Sequence, residues 1–113
     1  MNLLRNLKNS ENAPYDGKGY SFFNIAITLY NFSYFNLALH SWEHALKYFI
    51  GNDGQYGESS CYGSVGAIYS DFGDYAKAIE YQKKSLVIDK EIRDRAGESH
   101  CYINLGVAYH NLG

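Results

Sequence analysis

The stretch GESSCYGSVGAIYSDFG, residues Gly57–Gly73, returns forty positions later as GESHCYINLGVAYHNLG, residues Gly97–Gly113. Eight of the seventeen positions are identical, and no insertion or deletion interrupts the match. Self-similarity at a period of roughly 20–50 residues is typical of repeat arrays, in which each unit buries its apolar face against its neighbours. The period therefore predicts a repeat protein, and such chains usually act as binding surfaces.

The same period extends towards the N-terminus with fewer identities. Gly17 aligns with Gly57, and in the second half of the unit Ala38 aligns with Ala78. We therefore predict two full units and the first half of a third, preceded by an N-terminal segment or short capping helix. The predicted boundaries are residues 1–13 for that segment, 14–53 for a degenerate first unit, 54–93 for the second unit and 94–113 for the incomplete third.

Each half-unit shows apolar residues at i, i+3, i+4 and i+7, which is the spacing of one helix face. A small residue recurs at one place on this face of the first helices and would let a neighbouring helix approach closely. The predicted packing faces of the first helices are Phe22, Ile25, Ala26, Leu29 and Phe32; Tyr62, Val65, Gly66, Tyr69 and Phe72; and Tyr102, Leu105, Gly106, Tyr109 and Leu112. The second helices run from Phe35 to Phe49 and from Tyr75 towards Ile92.

Residues that suit helix ends stand where these patterns stop and start. Gly73 can end a helix in the left-handed conformation, and Asp74 can cap the next helix. Asp53 and Asp94 precede two of the first helices, and Pro14 is compatible with the first turn of another. No strand alternation occurs, so the motif is a helix, a tight turn and an antiparallel helix.

Composition and charge exclude several classes of function. With 113 residues, 46% of them hydrophobic and 19% charged, the chain has room for one folded domain. A net charge of −2 gives no field for nucleic acid or anionic membranes. A secretion signal and a long apolar span are both lacking, which favours a cytoplasmic location. Cys61 and Cys101 occupy the same place in successive units, so we predict small buried thiols instead of a disulfide.

The string GDYAKAIEY at Gly73–Tyr81 resembles the tetratricopeptide repeat, in a longer form with a period of forty instead of ~34. Lys90 stands where the shorter repeat commonly has a proline, which would let the second helix run on. The repeats are most similar to those of the Pins and LGN polarity adaptors and of tetratricopeptide repeat protein 28. This resemblance implies an all-α fold of antiparallel helix-turn-helix repeats, stacked in a right-handed superhelical solenoid that binds proteins and needs no cofactor.

In this family the first helices line a concave groove that receives a peptide of a partner. Carried over residue by residue, the resemblance points to a set that we name the first-helix stripe: Tyr20, Phe23, Asn24, Ile27, Tyr30 and Asn31; Ser60, Gly63, Ser64, Ala67, Ser70 and Asp71; and His100, Ile103, Asn104, Val107, His110 and Asn111. Asn24 and Asn104 carry donors and acceptors that suit a peptide backbone. The alternative is that these amides only meet water.

The chemistry of this stripe restricts its partners. After Lys18 it contains no Lys or Arg, so it lacks the clamp that some family members use for a C-terminal carboxylate. Its ionisable side chains other than tyrosine are Asp71, His100 and His110, which favours a partner with apolar anchors and some basic residues. Phe23, Ile27 and Tyr30 could form an apolar pocket or could pack against the N-terminal segment.

Two alternatives come from other features. His40-Ser41-Trp42-Glu43-His44 satisfies H-x-x-E-H, a pattern of some zinc peptidases, but a third ligand and a cleft are not specified, and we expect no enzyme and no bound metal. The chain also stops halfway through a unit, so Leu105, Tyr109 and Leu112 should be partly exposed and could support self-association. The charged run Asp89–Arg95 is interpreted as a solvated helix flank.

Overall fold

The computed structural model describes residues 17–50 and 54–113, which form helices and contain no strand. The predicted all-α class is confirmed. The predicted capping segment at 1–13, the proline at 14 and the aspartate at 53 lie outside the described residues. The helices are α1 (Lys18–Asn31), α2 (Phe35–Phe49), α3 (Gln55–Asp71), α4 (Tyr75–Glu91) and α5 (Arg95–Leu112). Within the described ranges, none of them combines the length and apolarity that a bilayer crossing needs.

Three helices end in the same way. The second residue after each helix has a positive φ, with values of 66° at Ser33, 82° at Gly73 and 59° at Arg93. At each end one N–H donates to the carbonyl three residues back and the next N–H to the carbonyl five residues back. The predicted caps are confirmed, since Asp74 accepts from the Lys77 N–H and Asp94 from the Gly97 N–H.

The chain divides between Gly57 and Glu58 into two compact units, which we call the first and second compact units. In the first, α1 packs on α2, and Phe49 is the largest fully buried side chain. A Cβ placed on Gly19 would lie 2.8 Å from the Phe49 ring, and one on Gly57 would lie 2.5 Å from it. Only glycine leaves room for the ring at these two places.

In the second compact unit, α4 contacts both α3 and α5. The Gln82 side chain donates to the Gly63 carbonyl over 3.0 Å, and a Cβ on Gly66 would come within 2.8 Å of Gln82 Nε2. The close approach of a neighbouring helix, which we expected at the small residue of each first helix, is therefore confirmed at Gly66. No described helix approaches Gly106 in this way, since a Cβ placed there would have no neighbour within 4 Å. On the α5 side, the core consists of Ala78, Ile79, Leu105 and Ala108.

A buried polar cluster joins these three helices. The Ser59 hydroxyl donates to Asp89 Oδ1 and lies 2.8 Å from Ser85 Oγ, while Cys101 Sγ lies 3.5 Å from Asp89 Oδ2. Asp89 is only 3% exposed, so the prediction that it belongs to a solvated flank was wrong. Its carboxylate is stabilised by hydroxyl and thiol donors, as a buried polar group requires.

The predicted packing faces are partly wrong. Phe32 is 72% exposed, Ile25 and Tyr102 are about half exposed, and Leu105 is buried although partial exposure was expected. The face that meets the second helix is centred on the small residues, so large side chains at its margins keep a solvent-facing side. Leu105 is buried because α4, which precedes it, already covers it with Ile79.

Candidate peptide-binding surface

On α1 the first-helix stripe is a mixture of exposed and half-buried side chains. Asn24, Ile27 and Asn31 are exposed, as is Tyr20, whereas Phe23 and Tyr30 are half-buried. These residues share one side of the helix because they recur at helical spacing, and Ala26 on another side faces the core. The α1 stripe is therefore accessible without being a wholly solvated surface.

The stripe aromatics of α1 are held by rings of α2. The Tyr20 ring centroid lies 4.8 Å from that of Phe49, and the Phe23 and Tyr30 centroids lie 6.2 and 5.8 Å from that of Trp42. Edge-on and tilted ring pairs of this kind restrict side-chain rotation. In the predicted apolar pocket of Phe23, Ile27 and Tyr30, the two rings thus contact α2. The alternative prediction was that these side chains pack against the N-terminal segment, which lies outside the described residues.

Trp42 adds an unusual feature below these rings. Its side chain is buried, yet its Nε1–H has no hydrogen-bond partner in the part of the chain that the structure describes. An unsatisfied buried donor costs about 1–3 kcal/mol. In the sequence, the only sign of this feature was the single tryptophan on an otherwise apolar helix face. The periodicity of the sequence cannot show whether its N–H has a hydrogen-bond partner.

On α3 the stripe is made of small side chains. Ser60, Ser64, Ala67 and Ser70 are half-buried, as is Gly63, and Asp71 at the helix end is exposed. The side of α3 that carries the stripe therefore has no large side chain and presents mainly serine hydroxyl groups. A larger side chain at Ala67 would protrude from it.

On α5 every stripe residue is exposed. Ile103 is the most exposed of them at 64%, and Val107 is about half exposed. The Asn111 side chain donates to the Val107 carbonyl over 2.9 Å, so this amide is partly committed to its own helix. Asn104 follows Ile103 directly and lies one turn before Val107, which places a donor and an acceptor near two apolar side chains.

The two cysteines of the second compact unit are free and buried, as predicted. Burial raises the pKa of the Cys61 thiol to about 12, with a further contribution from the Glu58 charge. Burial also raises the pKa of Cys101, and the neighbouring Asp89 acts in the same direction while the Ser85 hydroxyl opposes it. Both thiols are therefore protonated at neutral pH and are poor nucleophiles.

The H-x-x-E-H segment lies on α2 with His40, Glu43 and His44 exposed. The His44 ring stacks on Phe22 with centroids 5.5 Å apart. Among residues 17–50 and 54–113, no three His, Cys, Asp or Glu side chains are grouped so that they could hold a metal ion. The three side chains therefore face solvent on α2, and among the described residues no third ligand for zinc is grouped with them.

A family model described as Tetratricopeptide repeat matches residues 59–91, which include most of α3 and all of α4. This segment is similar to a tetratricopeptide repeat. The match coincides with the helical hairpin that carries Gly63, Gly66 and Gln82 at its contact. Tetratricopeptide repeats are generally non-catalytic scaffolds that bind protein partners. A comparison with curated proteins finds no match to the chain.

Proposed function

We propose that the chain is a protein-protein interaction scaffold that binds a peptide segment of a partner along the first-helix stripe. The observation that carries the proposal is that no residue of the first-helix stripe is buried. The other sides of α1, α3 and α5, which carry these residues, pack in a core. The tetratricopeptide match over residues 59–91 supports the same class of function. The period of forty, with α4 continuing through Lys90 to Glu91, supports a long repeat like those of the Pins and LGN adaptors and of tetratricopeptide repeat protein 28.

The α5 part of the stripe has the chemistry to recognise a peptide. Covering an exposed Ile or Val side chain contributes roughly 1.5–3 kcal/mol when burial is complete, so Ile103 and Val107 would supply most of the affinity. Asn104 between them would bind the peptide backbone and orient it. Asp71, at the end of the α3 stripe, favours a partner that carries a basic residue beside its apolar anchors.

Affinity purification with mass spectrometry tests this proposal on the wild-type chain and on two matched variants. Ala67→Arg places a long cation on the α3 stripe, and Ala76→Arg places the same side chain on the exposed start of α4, away from the stripe. We expect Ala67→Arg to lose a partner that wild type and Ala76→Arg retain, with circular dichroism unchanged. Recovery of the same proteins by all three would refute binding at the stripe.

A second candidate function is self-association through α5. Tyr102, Tyr109 and Leu112 are each about half exposed on this helix, outside the stripe. Exposed aromatic and aliphatic side chains that share one side of a helix favour association. Sedimentation at several concentrations should show a dimer that Leu112→Asp dissociates, and a strict monomer at all concentrations would exclude this function. Leu112 is the better target because the buried Leu105 is needed for folding.

We also propose a cytoplasmic location. The two free thiols lie in one compact unit, and a reducing compartment keeps such cysteines unpaired. Fluorescence microscopy of the tagged full-length protein tests this directly. Accumulation in the secretory pathway would contradict it.

A further inference from the structure

The positive charges of the second compact unit are concentrated in one segment. Every Lys and Arg among residues 58–113 lies between positions 77 and 95, and each of these side chains is exposed. The flanking parts, 58–76 and 96–113, contain neither residue type. We call these side chains the basic surface: Lys77, Lys83, Lys84, Lys90, Arg93 and Arg95.

Tyrosines position the four lysines of this surface. On the α3 side, Lys77 Nζ lies 5.0 Å from the centre of the Tyr69 ring, and Lys84 Nζ lies 5.6 Å from that of Tyr62. The α5 side repeats the arrangement with the tyrosines forty positions later, since Lys83 and Lys90 lie 5.8 and 5.9 Å from the rings of Tyr109 and Tyr102. Contacts with ring faces hold an ammonium group in place without neutralising its charge.

Between positions 77 and 95, six cations stand against four carboxylates, which belong to Glu80, Asp89, Glu91 and Asp94. In the described part of the second compact unit, Lys84 is the one cation of the basic surface within salt-bridge distance of a carboxylate, at 3.7 Å from Glu80. Asp89 is buried in the polar cluster, and Asp94 is engaged in capping α5. The surface therefore keeps an excess of positive charge even though the whole chain has a net charge of −2.

Three cations of the basic surface line a cavity at the turn between α4 and α5. This cavity has a volume of about 380 Å³ and is lined by Lys90, Arg93, Arg95 and Glu98. The left-handed conformation of Arg93 ends α4 and directs the chain into α5 at this point. Three cations thus share an open cavity with one carboxylate, and arginine can bind a carboxylate through two parallel hydrogen bonds.

We propose that the basic surface binds an acidic peptide segment of a partner protein, with the cavity at the α4–α5 turn as its principal contact. It is a second interaction surface, because the first-helix stripe contains no Lys or Arg. From Lys77 to Lys90 the cations extend over about 20 Å of helix, so they match a segment with several carboxylates. Glu80, Glu91 and Glu98 are interspersed with them, which suits a peptide of mixed side chains better than a uniform phosphate backbone.

Fluorescence anisotropy with a labelled oligoglutamate peptide tests the proposal on the full chain. A single exposed ion pair contributes little, so we expect weak binding that falls further as salt is added. Arg93→Gln with Arg95→Gln should weaken binding about tenfold, which corresponds to the loss of two such contacts. The matched control is Lys18→Gln with Lys47→Gln, which removes the same charge from the first compact unit and should leave the affinity unchanged.

Two further variants make the test specific. Glu98→Gln removes the one carboxylate of the cavity and should strengthen binding of oligoglutamate, whereas Ala67→Arg on the stripe should not weaken it. Circular dichroism checks the fold, and Arg95→Gln alone serves if the double variant unfolds. The proposal is overturned if oligoglutamate does not bind, if both charge-matched double variants weaken it equally, or if oligodeoxythymidine of the same length binds more tightly.

Discussion

The two compact units use the same repeat positions for different chemistry. Trp42 in the first corresponds to Gln82 in the second, forty residues later, and both are buried. Each has a partner on the preceding helix that matches it: the Phe23 ring contacts Trp42, whereas Gly63, at the position equivalent to Phe23, accepts a hydrogen bond from Gln82. A contact between two rings is thus replaced by a contact between an amide and bare backbone.

Two turns further along the second helix, the side chains are exchanged in the same way. Phe49 packs against Gly19 and Gly57 in the first compact unit. Its equivalent Asp89 accepts a hydrogen bond from Ser59, which occupies the position of Gly19. The repeat therefore preserves the placement of the helices, while the contacting side chains change together. In the first compact unit an aromatic ring packs on glycine, and in the second a carboxylate accepts a hydrogen bond from a hydroxyl group. Mixing the two sets of side chains should be unfavourable.

The largest effect is expected from Phe49→Ala. Phe49 is fully buried, and its loss leaves a cavity lined partly by glycines that cannot fill it, which should cost about 3–5 kcal/mol of the free energy of unfolding. Urea unfolding measures the loss. The control is Phe32→Ala, because Phe32 is mostly exposed and its truncation should change stability by less than about 0.5 kcal/mol. Equal losses at the two sites would contradict the described core.

Asp89→Ala should have the next largest effect. It removes the carboxylate that accepts from the Ser59 hydroxyl, a hydrogen bond to a charged group that contributes about 1.5–3 kcal/mol, and leaves the hydroxyl only its contacts with Ser85. A sharper experiment transplants the packing of the first compact unit. Asp89→Phe alone should destabilise the protein, and adding Ser59→Gly with Ser85→Ala should recover part of the loss. Absence of this recovery in urea unfolding would show that the two sets are not equivalent.

Alkaline pH should destabilise the second compact unit through Cys61. Its pKa rises from 9.0 to about 12 on folding, so the unfolded thiol ionises first and stability falls by up to about 1.4 kcal/mol per pH unit between these values. Below pH 9 this contribution is fully retained. Comparing wild type with Cys61→Ala isolates it from the tyrosines that titrate in the same range. A difference in stability that does not change across this window would refute the described burial.

The smallest expected effects concern the turns. Ser33 and Gly73 occupy equivalent positions with positive φ, which glycine adopts with little cost and serine does not. Ser33→Gly should stabilise the protein by about 0.5–1 kcal/mol, and Gly73→Ser should destabilise it by a similar amount. Thermal unfolding of the two reciprocal variants is a sufficient test. Shifts of the same sign would contradict the equivalence of the turns.

Much of the fold could be predicted because it depends on local signals. The period of forty, the helical spacing and the pair Gly73-Asp74 correctly predicted the helices and the turn. Burial was harder to predict, because it depends on which neighbour covers a helix face. Ile25 has the expected spacing but is exposed, and Asp89 sits in a charged run but is buried. Its alignment with the apolar Phe49 was the available signal.

The stripe was less predictable than the fold, since its function was inferred from family resemblance and not from chemistry in the chain. Exposure of Ile103 and Val107 agrees with a binding role but does not identify a ligand. The basic surface was missed because its lysines come from one helix while the tyrosines that position them come from two others. Such a surface is visible only when all three helices are placed.

The most direct test of the central claim is site-specific photocrosslinking in cells, with a photoreactive residue introduced into the full-length protein at Ala67 or at Ala76. Ala67 lies on the first-helix stripe and Ala76 on the exposed start of α4. We expect a crosslinked partner from position 67 that is missing from position 76. Recovery of that partner in equal yield from position 76, or the lack of any crosslinked partner at position 67, would contradict binding along the first-helix stripe.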